Sequence, residues 1–202
     1  MHVAILTFDG FNELDSFIAL GLLNRLKPLG WSAELTGPGG PGGQVTSMNG
    51  VNVQLQRPLE WANEADVVLF GSGLYTRAIA ANSALLDRLQ LDPVRQLIGA
   101  QCSGTLLMAR LGLLGDHPAC TDTTTKPWVI EAGARVIDEP FHAHGPIATA
   151  GGCLASQYLA TWVMLKKAGD AATREALAYA APVGEKQSYV ERLLAVVRPF
   201  VD

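Results

Sequence analysis

Short apolar runs alternate along this chain with stretches whose apolar residues recur at helical spacing, and that alternation sets the expected architecture. His2 to Phe8 reads as a first buried strand, Trp31 to Thr36 as a second, Asp66 to Phe70 as a third, and Val94 to Ala100 as a fourth that leads into Cys102. Between them, Glu13 to Leu29 has the pattern of an amphipathic helix, with Asn12 as its N-cap and Pro28-Leu29-Gly30 as its stop. Ser83 to Leu91 reads as another helix. Gln44 to Met48 and Val51 to Leu55 flank Asn49-Gly50, a strong hairpin signal. Further on, a helix starts at Thr105, Cys120-Thr121 reads as a short strand, Pro127 to Ala132 as a helix and Ala134 to Ile137 as a strand. Ile147 to Ala150 is a last strand ending at Gly151-Gly152, and Leu154 to Ala168, Ala171 to Ala180 and Ser188 to Val197 read as the closing helices. This order predicts one α/β domain over 1–202, with a mostly parallel sheet covered on both faces.

Composition narrows the function classes. With 202 residues and 49% hydrophobic content, the chain can bury one sizeable core. The net charge of −4 comes from scattered acids with no basic run, which disfavours nucleic acid as a partner. The longest apolar stretches, such as Leu159 to Leu165, are too short to span a bilayer, so no membrane association is expected. Met1 leads directly into a strand pattern without a basic segment, so no signal peptide is expected either. The glycine tract from Gly37 to Gly43 precedes a hairpin and lacks a Walker lysine, and it reads as a surface loop. Three widely spaced cysteines, Cys102, Cys120 and Cys153, form neither a disulfide framework nor a zinc signature. A cytoplasmic protein with no cofactor and no metal is the expectation.

The strongest chemical signal is Ala100-Gln101-Cys102-Ser103-Gly104, which places a thiol at a sharp strand-to-helix turn. Gly99, Ala100 and Gly104 let the chain turn tightly and let the next helix pack close to the sheet. The G-x-S-x-G nucleophile elbow of hydrolases meets the same steric demand, here with sulfur in place of the hydroxyl. A thiol at a helix N-terminus faces unpaired N–H groups that lower its pKa, so Cys102 reads as a reactive thiolate.

In a parallel sheet, ligand sites lie beyond the carboxyl ends of the strands, so partners for Cys102 belong in the segments after the other strands. After the first strand, Glu13 complements the helix dipole, while Asp15 lies among Leu14, Phe17 and Ile18. An acid turned inward there has a raised pKa and can hold a proton for a neighbouring thiolate or substrate. After the third strand, the amides of Ser72 and Gly73, with that of Ser103, suit an oxyanion hole; a plain tight turn is the alternative. His142 and His144 alternate and share a face if the segment is a strand, yet two ligands without a third make a poor metal site. His144 reaches the Cys102 pocket only if its loop folds back. His117 reads as solvated, and Cys153, beside Gly151-Gly152 at the head of the long helix, as a small residue packed against the sheet, with a second thiol near a helix dipole as the alternative.

Phe8-Asp9-Gly10-Phe11 with Leu14-Asp15, the Val67 to Gly73 turn, Cys102-Ser103-Gly104, Ala132 to Val136 and Ile147 to Gly152 together resemble the ThiJ/PfpI superfamily over essentially the whole length. Its relatives include the Parkinson's-disease protein deglycase, isonitrile hydratases and the cysteine domain of class I amidotransferases. The resemblance implies a flavodoxin-like three-layer α/β/α sandwich, with Cys102 as nucleophile and Asp15 as the acid beside it. It also implies oxyanion-hole amides at Ser72 or Gly73 and Ser103. Asp at position 15 and a hydroxyl after the cysteine are closer to isonitrile hydratases than to the deglycase branch. Many relatives carry a histidine after the elbow helix, whereas Cys120 to Trp128 holds none, and Asp122 or one of the threonines occupies that place. Ser103 stands where peptidase branches carry histidine, so a peptidase loses its base.

The expected function is a cofactor-independent, cysteine-dependent hydratase or hydrolase on a small electrophilic substrate, similar to isonitrile hydratase. The alternatives are glyoxalase or deglycase action on α-oxoaldehydes, and a non-enzymatic redox or stress sensor. The C-terminal stripe Tyr189, Leu193, Leu194, Val197 and Phe200 reads as a terminal helix docked on its own domain. Relatives of this kind pair, so a homodimer burying at least ~1,000 Å² in total is expected.

Overall fold

The computed structural model describes residues 1–201. The first half comprises β1 (His2–Leu6), α1 (Glu13–Leu23), β2 (Ser32–Gly37), β3 (Gln44–Thr46), β4 (Asn52–Gln54), β5 (Arg57–Pro58), β6 (Val67–Phe70), α2 (Thr76–Ala80), α3 (Ser83–Leu86) and β7 (Leu97–Gln101). The second half comprises α4 (Gly104–Arg110), β8 (Pro118–Ala119), α5 (Lys126–Glu131), β9 (Arg135–Val136), β10 (Phe141–His144), β11 (Ile147–Ala150), α6 (Ser156–Ala180) and α7 (Lys186–Val197). Seven strands form one sheet in the order β10-β11-β7-β6-β1-β2-β5. Every neighbouring pair is parallel except the edge pair β10–β11.

Two apolar layers explain why the central strands read as unbroken hydrophobic runs. Val3 and Ile5 of β1 point to one face, where they join Leu22 and Leu23 of α1, Trp162 of α6 and Leu193 of α7. Ala4 and Leu6 point to the other face, with Phe70, Ile98 and the α4 residues Leu106, Leu107 and Met108. Each fully buried large aliphatic contributes about 1.5–3 kcal/mol of transfer free energy. The result is the three-layer α/β/α sandwich with a mostly parallel sheet. Among the described residues, no helix is long and apolar enough to cross a membrane.

Several boundaries differ from expectation for local reasons. α1 stops at Leu23, and Asn24–Leu29 continues as a 3-10 helix, because Pro28 has no N–H for an α-helical bond. Asn24 also turns aside to pair with both backbone groups of Ala33, at 3.0 and 3.1 Å. The strand before the elbow begins at Leu97 rather than Val94, since Asp92 Oδ1 accepts from the Val94 amide at 2.9 Å and holds a turn there. The helix expected over Ser83 to Leu91 is only the single turn of α3. The short strand near Cys120 is Pro118–Ala119, paired with β9. The two helices expected at Leu154 to Ala168 and Ala171 to Ala180 are both present, since Gly169 (φ 81°, ψ 176°) is non-helical and breaks α6 between them. Val190, Leu193, Leu194 and Val197 of α7 are buried against the chain's own core, as docking of the terminal helix requires.

α4 starts hard against the end of β6. A Cβ on Gly104 would lie 2.6 Å from the Gly71 carbonyl oxygen and 2.7 Å from that of Phe70. Both obstacles are backbone and cannot swing away. Gly104→Ala is therefore expected to destabilise, at the upper end of the about 1–3 kcal/mol typical of overpacking. That outweighs the about 1 kcal/mol of helix propensity it gains. Urea denaturation of the variant checks this, with a lowered midpoint as the expected result.

Candidate active site

The chain turns from β7 into α4 through Cys102, whose φ of 47° makes it the one non-glycine residue with positive φ among those described. Such a conformation costs on the order of 1–3 kcal/mol and persists only where its surroundings hold it. Here the Cys102 amide donates to the Ala150 carbonyl at 2.9 Å, and its own carbonyl accepts from Thr121 Oγ1 at 2.7 Å. The elbow is pinned from two sides, with its sulfur turned toward the carboxyl end of the sheet.

Asp15 reaches the same place from the first turn of α1. Asn12 caps that helix by accepting from the Leu14 amide at 3.0 Å, and Ser156 Oγ donates to the Asp15 carbonyl at 2.8 Å, which ties α1 to the start of α6. Asp15 is 1% exposed. A carboxylate oxygen of Asp15 and the sulfurs of Cys102 and Cys153 all lie within 4.8 Å of one another. Among the described residues, neither Asp15 oxygen has a hydrogen-bond partner of good geometry, and the neighbouring Gln101 Nε2 is likewise buried and unpaired.

Burial pushes the Asp15 carboxyl above its ordinary value, and the facing side chains of Ser72, Gln101, Cys102 and Cys153 moderate the rise. Burial also raises the Cys102 thiol, and the charges of Asp15, Cys153 and Asp122 raise it further. This corrects the expected lowering: desolvation and a facing carboxylate outweigh the N-terminus of the seven-residue α4. Asp15 and Cys102 form a coupled pair that loses its first proton mainly from the acid and its second from the thiol. Burial lifts Cys120 to about 12, and Thr149 and Thr105 hold its backbone inside the fold.

A cleft of about 420 Å³ opens over Cys102, walled by Met48, Leu74 and Trp128 on its apolar side and by Asn12, Ser72 and Ser103 on its polar side. Among the described residues, the amides of Ser72 and Ser103 donate to no protein group, so they remain available to a substrate atom. The Gly73 amide is not: it donates to Ser103 Oγ at 3.2 Å, and that hydroxyl lies 2.8 Å from Thr76 Oγ1. Asp122 lines the cleft, but its Oδ1 accepts from the amides of Thr124 and Thr125 at 2.9 and 3.0 Å, which shapes the turn into α5. His144 does not reach the site. It pairs with Ile147 at the amino end of β11, the opposite end of the sheet from Cys102, and stacks on His117 with ring centroids 3.5 Å apart. Glu13 accepts from Ser47 Oγ and from Asn49 Nδ2 and fastens α1 to the β3–β4 hairpin.

Three features of the cleft lay outside the sequence reading. Cys153 belongs to it, with Asn12 Nδ2 donating to its sulfur at 3.1 Å. The Arg77 guanidinium lies over the Trp128 ring at 4.4 Å. Gln101 turns its amide toward Asp15. A signal for Cys153 was present: Gly151-Gly152 ends the strand beside β7, so the next residue falls at the same sheet edge as the elbow.

No curated protein sequence matches the chain. Among solved structures, it is similar to Drosophila melanogaster DJ-1beta, at 21% identity over 87% of this chain and 94% of that one, with a TM-score of 0.75. A ThiJ/PfpI family protein from Pseudomonas syringae matches at 16% identity over 98% of this chain and 87% of its own, also at 0.75. A cysteine-to-alanine mutant of a DJ-1 superfamily protein from Salmonella typhimurium matches at 21% identity over 89% and 97%, again at 0.75. These likenesses carry the flavodoxin-like fold. The sequence pattern of the DJ-1/PfpI family itself extends over residues 1–166, and the chain belongs to that family.

Proposed function

We propose that this protein is a cysteine-dependent hydratase that adds water to a small electrophilic carbon, an isonitrile in the leading reading. The observation that carries it is the Asp15 carboxyl buried beside Cys102 in a cleft that, among the described residues, no imidazole lines. An isonitrile needs a nucleophile and a proton delivered to the same carbon. An acid that takes the thiol proton and returns it within one pocket supplies both.

In the first step the Cys102 sulfur bonds to the terminal carbon while its proton passes to Asp15. Asp15 then gives that proton to the carbon, forming an S-linked thioimidate. Water adds to the thioimidate carbon with Asp15 as base, which passes that proton to the nitrogen; the C–S bond then breaks as the new hydroxyl gives its proton through Asp15 to the departing thiolate. The product is an N-formyl amine, and the sum is one isonitrile plus one water. Met48, Leu74 and Trp128 suit an apolar substituent on nitrogen.

A second reading is favoured by the free amides of Ser72 and Ser103, which fit the oxyanion of a hemithioacetal and hence an α-oxoaldehyde substrate. A panel of isonitriles, methylglyoxal and glutamine, tested on the wild type and on Cys102→Ser, separates the two. N-Formyl amine production that disappears in the variant is the expected result. Methylglyoxal consumption with no isonitrile turnover would overturn the leading reading in favour of the second.

A further inference from the structure

The hydration chemistry uses one thiol, yet the cleft holds two. Cys153 follows Gly151-Gly152 and opens a single 3-10 turn, Cys153–Ala155, ahead of α6. It is partly exposed, and its sulfur accepts from Asn12 Nδ2 at 3.1 Å, which aims it into the cleft. Its distance from Cys102 is at most 4.8 Å between sulfurs, against about 2.05 Å in a disulfide. The remaining closure is within reach of side-chain rotation and a modest backbone shift. Gly152, at φ 96° with open space around it, immediately precedes the residue that must move. Cys120 is no competitor, because it is fully buried.

We propose that Cys153 is a resolving cysteine for Cys102, so that a hydroperoxide converts the cleft to a Cys102–Cys153 disulfide that a small thiol reduces again. In the first step the Cys102 sulfur attacks one peroxide oxygen, the O–O bond breaks, and Cys102 sulfenic acid and water (or an alcohol) form. The Cys153 thiol then attacks that sulfur and displaces its hydroxyl as a second water. Two equivalents of a small thiol, entering through the 420 Å³ cleft, restore both thiols and leave as their own disulfide. Capture by Cys153 competes with over-oxidation of Cys102 to the sulfinate, which small thiols do not reverse. The disulfide removes the nucleophile from use while protecting it. The proposal rests on the reading of Cys102 as the reactive group of the cleft, and not on which electrophile the protein hydrates.

The test exposes the protein to a small excess of hydrogen peroxide, about three equivalents because sulfinate formation consumes two, quenches with iodoacetamide and reads intact and peptide masses. The wild type is expected to lose about 2 Da through a peptide joining Cys102 to Cys153, and to regain it with dithiothreitol. Cys120→Ser should behave identically. Cys153→Ser should instead gain about 32 Da on Cys102, without recovery by dithiothreitol. Wild-type Cys102 advancing to sulfinate as fast as in Cys153→Ser, or a bridge through Cys120, would overturn the proposal. If Cys153→Ser does not fold, the wild-type peptide map decides alone. The readout is mass, so a protein inactive on isonitriles can still pass, and one that hydrates them can still fail.

Discussion

Cys102→Ser is expected to reduce turnover of the preferred electrophile by on the order of 10⁴–10⁶-fold, the scale seen when a nucleophile is removed from an otherwise intact site. The change keeps the elbow: residue 102 still donates to the Ala150 carbonyl and accepts from Thr121 through its backbone. The fold should therefore persist with a similar circular dichroism spectrum. A serine hydroxyl beside Asp15 is far less nucleophilic than the thiol and gains no base stronger than the one sulfur already had. Steady-state rates on the same substrate panel check this. Residual activity within tenfold of the wild type would remove Cys102 from the chemistry.

Asp15→Asn is expected to move stability and activity in opposite directions. The folded protein holds the Asp15 proton more tightly than an ordinary carboxyl does, because burial disfavours the charged form. Below 3.8, the ordinary value, folded and unfolded chains both carry a neutral acid and the group contributes nothing. As pH rises from there through the raised folded pKa, the unfolded chain releases its proton first, so stability falls across that window and stays lower above it. Each pH unit of the window costs about 1.4 kcal/mol. Asparagine stays neutral throughout. The variant should match the wild type at low pH and exceed it at pH 7, by on the order of 1–3 kcal/mol for a buried and poorly paired group. The same change removes the proton carrier and should cost about 10²–10⁴-fold in turnover. Thermal melts at several pH values, paired with rates, separate the two effects. A variant less stable than the wild type at pH 7 would show that the carboxylate is well accommodated.

The alternation of β1, α1, β2, β6, β7 and α4 was legible because both faces of a parallel sheet are buried, which leaves unbroken apolar runs such as Val67–Phe70. The elbow was legible for a steric reason, since Gly104 has backbone oxygens within 2.7 Å of any Cβ. The edges were harder. β5 is two residues long and α3 a single turn, so neither leaves a period to count. Asp15 could be singled out by its apolar neighbours, and Gly151-Gly152 puts Cys153 at the elbow's sheet edge, but its contact with Asn12, 141 residues away, leaves no local signal. The direction of the Cys102 shift was misjudged because helix position is local, while desolvation depends on everything packed around the sulfur. The loop does not fold back to bring His144 to Cys102, because the β10–β11 hairpin turns it to the far end of the sheet.

On the proposed function, Asp15 and Cys102 share a proton, and this makes a buried thiol reactive. The rate of Cys102 alkylation by iodoacetamide against pH, in the wild type and in Asp15→Asn, tests it most directly. In the coupled pair, a fixed fraction exists as thiolate beside neutral acid between the two macroscopic steps. The wild-type rate should therefore rise once, with an apparent pKa above 3.8, hold level through neutral pH, and rise again only above the ordinary thiol range of about 8.5. Asp15→Asn should lose the plateau and gain about tenfold per pH unit as free thiolate alone reacts. Identical profiles in the two proteins, each with a single step at or below about 8.5, would contradict the account.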